Sequence, residues 1–105
     1  MRLIERQMND AILNQKDWKN ANTEVISCSN VTDVFLYDNL IARIGETWIE
    51  LFDGGVQSKT TKSRINAILS EHGNGARIFQ QNFQWVVIDV DNNAPIPFFS
   101  GMRLN

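Results

Sequence analysis

The side chains best placed to hold a ligand lie between Gln57 and Arg64, in the run Q-S-K-T-T-K-S-R. The hydroxyls of Ser58, Thr60, Thr61 and Ser63 are interleaved with the cations of Lys59, Lys62 and Arg64. At the start of a helix, free backbone N–H groups would add to them, and the whole would favour an anion. The same residues also make an ordinary helix cap with solvated lysines. A second group follows in F-Q-Q-N-F-Q-W, with Phe79, Phe83 and Trp85. Phe83 and Trp85 are two apart and share one face of a strand. Exposed beside Arg77 and the basic turn, they could stack on bases. Buried, they are core.

Little else carries chemistry. The chain has no G-x-S-x-G, no Walker loop and no H-E-x-x-H. Gly54-Gly55 lacks the further glycine of a nucleotide fingerprint, and S-K-T-T lacks the G-K-[ST] of a P-loop. A single cysteine, Cys28, and a single histidine, His72, exclude an internal disulfide and any Cys/His zinc cluster within one chain. Cys28 has no activating neighbour in sequence. His72 falls near a helix end, where it packs or complements the dipole. Asp89 and Asp91 read as strand-end and turn residues. No catalytic cluster and no cofactor are expected.

These residues need elements to position them. Ile65, Ile68, Leu69 and His72 recur at spacings of three and four after Thr60 and Thr61, which predicts an amphipathic helix capped by threonine. Gly73 and Asn74-Gly75 end it. Ile4, Met8, Ala11, Ile12, Gln15 and Trp18 predict a first helix from Arg2 to about Lys19, with no glycine or proline inside to stop it. Between the helices, Thr23–Ser27, Val31–Tyr37, Leu40–Ile44 and Thr47–Phe52 read as short strands, turning at Asp38-Asn39 and Gly45-Glu46. After the second helix, Ala76–Gln80 and Phe83–Val90 read as a hairpin turning near Gln81-Asn82. F-Q-W-V-V-I-D-V is apolar on both faces and belongs at a sheet centre. Asp91-Asn92-Asn93 turns the chain. Pro95 and Pro97 disfavour a ladder-central position, and Phe98-Phe99 begins a short edge strand. Strands segregated from helices predict an α+β fold. It comprises an N-terminal helix, an antiparallel meander, a central helix packed on the sheet, and a C-terminal hairpin with an edge strand. Ile65, Ile68, Leu69, Trp85 and Val87 should share one core.

The chain of 105 residues is 43% hydrophobic and 21% charged, as expected for one folded domain over residues 1–105. Its start lacks the apolar region of a signal peptide, and no apolar run approaches the roughly 18 residues of a membrane span. Net charge is −2, which argues against a nucleic-acid binder, but the distribution is uneven. From Ala21 to Asp53 the acids are Glu24, Asp33, Asp38, Glu46, Glu50 and Asp53, against Arg43 alone. From Gly54 to Ile88 the bases are Lys59, Lys62, Arg64 and Arg77, against Glu71 alone. Kept on different faces, these segments make a bipolar surface.

With those residues in view, V-Q-S-K-T-T-K-S-R-I-N-A-I-L, R-I-F-Q-Q-N-F-Q-W-V-V and I-P-F-F-S-G-M-R-L resemble a family of small uncharacterised bacteriophage proteins. L-I-E-R-Q-M-N-D-A-I-L-N-Q-K-D-W and L-Y-D-N-L-I-A-R-I are similar to it too. The sequence departs from that pattern at Val56, where relatives tend to carry Trp. The resemblance implies a phage origin and the host-cell cytoplasm, with no assigned activity. Two functional readings stand. One is a non-enzymatic module that binds a host or phage protein, with a homodimer as one form. The other is a nucleic-acid-binding accessory protein using the turn 57–64 and the strand 79–85.

Overall fold

The computed structural model describes residues 1–73, 75–89 and 92–104, with the side chains of Asn92 and Asn93 left aside. The parts of the sequence reading that fall on Asn74, Val90 and Asp91 lie outside the described residues. The elements are α1 (Leu3–Leu13), β1 (Trp18–Asn20), β2 (Thr23–Cys28), β3 (Val31–Leu36), β4 (Asn39–Ile44), β5 (Ile49–Leu51), α2 (Lys59–His72), β6 (Arg77–Gln81), β7 (Gln84–Asp89), β8 (Asn92–Pro97) and β9 (Met102–Leu104). Every strand pairing is antiparallel. One sheet has the order β1-β2-β3-β4-β5-β9 and the other β6-β7-β8. This is the expected α+β architecture, with the meander, the hairpin and the central helix in their expected order. β7 occupies the centre of its sheet. The proline-bearing β8 lies at an edge, where a missing N–H costs no ladder bond.

The helical spacing reads correctly in α2. Ile65, Ile68 and Leu69 are fully buried and join Trp85 and Val87 in one apolar cluster. Met8 and Ile12 of α1 enter the same cluster, and so does the sheet row Val25, Val34, Ala42, Leu51 and Met102. Cutting one of the buried aliphatics to Ala would cost about 2–5 kcal/mol.

α1 is shorter than its periodicity suggests. Gln15 takes a left-handed φ of 52°. The Gln15 N–H then donates to Ile12 O at 3.2 Å and the Lys16 N–H to Ala11 O at 3.0 Å. These two bonds close a Schellman stop without glycine. Beyond it, Asp17 accepts the Ser27 N–H at 2.8 Å, and Trp18–Asn20 pairs with β2 as an edge strand. Trp18 therefore reaches the core from a strand. The tight hairpins turn through Ser29-Asn30, Tyr37-Asp38 and Asn82-Phe83, all six residues at positive φ. That geometry matches strand twist. It places two turns one residue away from where composition suggested. Between β5 and α2, Gly54 (φ 69°) and Gly55 (φ 90°) make the chain reversal. A Cβ on Gly54 would stand 3.2 Å from the Asn39 Cβ.

One polar cluster is sealed inside. Arg64 of α2 donates from Nη1 to Glu5 Oε2 of α1 at 2.9 Å, with both side chains 4% exposed. Its Nε donates to Thr23 Oγ1 of β2 at 3.0 Å, and its Nη2 to Asn22 Oδ1 at 3.4 Å. Ser63 Oγ donates to the same Glu5 oxygen at 2.6 Å. Burial alone pushes the Glu5 carboxyl up. Hydrogen bonds from Ser63, Arg64 and the Arg2 backbone, with the Arg64 charge, outweigh it and hold the group below its ordinary value of 4.5.

A depressed carboxyl pKa contributes stability that is present above the unfolded value and lost as pH falls through the folded one. Denaturant unfolding across pH should therefore show the wild type losing stability below about pH 4.5. Glu5→Gln should have a shallower acid slope, and at neutral pH it should be about 3–5 kcal/mol less stable, because Arg64 is left buried and unpaired.

Candidate functional site

The basic turn folds as a helix cap. Ser58, not Thr60 or Thr61, is the N-cap residue of α2. Its backbone is extended and its Oγ accepts the Thr61 N–H at 3.1 Å. The Thr61 hydroxyl is buried and lies 2.9 Å from Ser58 Oγ. Ser63 is committed to Glu5. The hydroxyl-rich sequence is thus largely consumed in holding the helix and the two-helix contact. Thr60 is half-buried and belongs to the first turn.

The cations separate. Lys59 is exposed and Lys62 half-buried at the start of α2. Arg64 is 3% exposed and bound to Glu5, Thr23 and Asn22, so it is withdrawn from any surface ligand. Arg77 is exposed on β6, beside Ile78. The Ile78 backbone is clamped by Asn66, half the length of α2 away from Lys59. The four cations of the expected patch do not form one.

Around the cap, Leu36, Tyr37, Asn39, Ile41, Asp53, Gly54, Val56, Ser58 and Thr61 line a cleft of about 240 Å³. Its charged wall is acidic. Asp53 Oδ1 accepts the Gly55 N–H at 2.9 Å. A carboxylate at this position opposes an anion at the helix start.

The aromatic strand also divides. Trp85 is 4% exposed and meets Phe98 edge-on, with ring centroids 5.3 Å apart. Phe79 is half-buried on β6. Phe83 is 94% exposed and sits in the turn, outside the strand. The two-residue spacing that would put Phe83 and Trp85 on one face does not apply across a turn. Phe83 has a φ of 65° and Asn82 a φ of 51°, a conformation that costs a non-glycine residue about 1–2 kcal/mol. The neighbouring Gln80, Gln81 and Gln84 are exposed and uncharged.

The remaining chemically able groups are isolated. Cys28 is exposed at the end of β2. His72 is half-buried at the end of α2, and burial pushes its imidazole below the ordinary value against the opposing pull of Glu71. Among the described residues no three His, Cys, Asp or Glu side chains form a metal-binding group. No helix of those residues is long and apolar enough to cross a membrane.

What sequence reasoning missed was the exposed Phe83 tip. The available signal was Asn82, a residue that tolerates left-handed backbone. If Ser58 is the cap, Ser58→Ala should lower stability by about 1 kcal/mol in denaturant unfolding. Thr60→Ala should change it by less than about 0.5 kcal/mol.

A family model described as "Kyanoviridae Gp96 protein" matches residues 1–105. No curated protein and no solved structure matches. The family match covers both the helix cap with its buried arginine and the exposed hairpin tip. The chain belongs to the Kyanoviridae Gp96 family of bacteriophage proteins.

Proposed function

We propose that this phage protein is a non-enzymatic interaction module that works in the host cytoplasm by docking the β6–β7 hairpin on a host or phage protein. The observation that carries this reading is Phe83, 94% exposed at a strained turn. A large apolar ring in water, held by backbone that glycine would relax, has a cost and no internal benefit. Aromatic side chains filling a partner's pocket are the commonest anchors of protein interfaces. From Ile78 to Ile88 the hairpin carries no charge, which suits an apolar pocket with a neutral rim. The nucleic-acid alternative lacks such support, because Arg64 and Trp85 are buried and the helix cap at Ser58 shares its cleft with Asp53.

The test is a substitution that separates fold from docking. Phe83→Gly should hold or raise stability, by up to about 1 kcal/mol, because glycine accepts the left-handed backbone. The same variant should lose a stoichiometric protein that the wild type captures from infected-host lysate after nuclease treatment. Capture equal to wild type would remove Phe83 from the reading. Recovery that vanishes with nuclease would favour the nucleic-acid alternative.

A further inference from the structure

The six-stranded sheet has one face against the helices and one that no described element covers. Val25, Val34, Ala42, Leu51 and Met102 point inward and are buried. On the opposite face, strand register sets Ile26, Asp33, Arg43, Glu50 and Arg103 side by side on five consecutive strands. None of the five is buried. The four ionised residues alternate in sign. Arg43 Nε lies 3.0 Å from Asp33 Oδ1, and Arg103 Nη2 lies 3.0 Å from Glu50 Oε2. The Arg103 guanidinium also covers the Trp48 ring at 4.3 Å. Phe35 and Leu40, direct partners on β3 and β4, flank the row with half-buried apolar surface, and Phe52 follows Leu51 on that outer side.

This row is its own complement. Read from β3 to β9 it runs minus, plus, minus, plus. Reversed, it carries the opposite sign at every position. We propose that the outer face of the six-stranded sheet docks on the same face of a second copy of this chain. A twofold axis lying in the interface, parallel to the strands and between Arg43 and Glu50, sets Asp33 against Arg103 of the other copy and Arg43 against Glu50. A twofold interface requires this reciprocity, in which residue i meets j and j meets i. The strands of the two sheets then stay aligned, as in packed sandwiches. Leu40 of one copy comes to Phe52 of the other. The pairs within each copy already hold the long side chains in place, which lowers the ordering cost of association.

The proposal concerns a different surface from the Phe83 tip, which lies in the other sheet. A dimer formed this way would present two tips and bind a clustered partner with avidity.

Sedimentation equilibrium tests it. The wild type should have twice the monomer mass. Arg43→Glu with Arg103→Glu makes the row uniformly acidic, and Asp33→Lys with Glu50→Lys makes it uniformly basic. Each double variant should sediment as a monomer with unchanged circular dichroism, and an equimolar mixture should recover the dimer mass. A monomeric wild type overturns the proposal without reference to any variant. Variants that stay dimeric, or folded variants that do not associate when mixed, overturn it as well.

Discussion

The two helices meet across a buried ion pair, with Arg64 Nη1 2.9 Å from Glu5 Oε2. Arg64 and Glu5 are 59 residues apart in sequence and bring together two helices that share no loop. Thr23 and Asn22 tie the same guanidinium to the start of β2. Removing two charges from water is expensive, and their attraction repays it only when the geometry is good and the remaining donors are satisfied. Both conditions are met, since each Arg64 nitrogen that donates has a defined acceptor and Ser63 adds a second bond to Glu5. The pair ties α1 to α2 and to the start of β2, alongside the apolar packing of Met8, Ile12, Ile65 and Ile68.

That commitment shapes the surface. A basic turn that looks like an anion site gives up its arginine and most of its hydroxyls to the fold. Apolar exposure is greatest at Phe83, outside that turn, with Leu13, Tyr37 and Val56 also in water. The edges of the three-stranded sheet are guarded. Asn66 Oδ1 accepts the Ile78 N–H at 2.7 Å and its Nδ2 donates to Ile78 O at 2.8 Å, closing the open side of β6 with a side chain. Pro95 and Pro97 blunt β8 at the opposite edge. Edge-to-edge association through this sheet is thereby discouraged.

The core was legible in the sequence because helical and strand periods are local. Ile65, Ile68 and Leu69 needed only their spacing, and β7 only its unbroken apolar run. The first helix was over-extended because Gln15 terminates it in a left-handed conformation with no glycine to announce it. Two turns shifted by one residue because Tyr37-Asp38 and Asn82-Phe83 are not the Asn-Gly or Asp-Gly pairs that fix two-residue loops. The site was less legible. Arg64 reads as a surface cation until Glu5 is placed beside it. Phe83 and Trp85 read as one face until a turn separates them. The alternating row on the outer face draws one residue from each of β3, β4, β5 and β9, so no window of sequence contains it.

A double-mutant cycle on Glu5 and Arg64, read by denaturant unfolding at neutral pH, measures how strongly the two side chains are coupled. Glu5→Leu and Arg64→Met keep side-chain volume while removing charge. If the pair is the joint between the helices, each single change leaves a buried charge alone. The double change should then cost far less than the sum, with a coupling of about 2–3 kcal/mol. Two small and additive losses would mean that the ion pair is no joint and that apolar packing alone holds the helices.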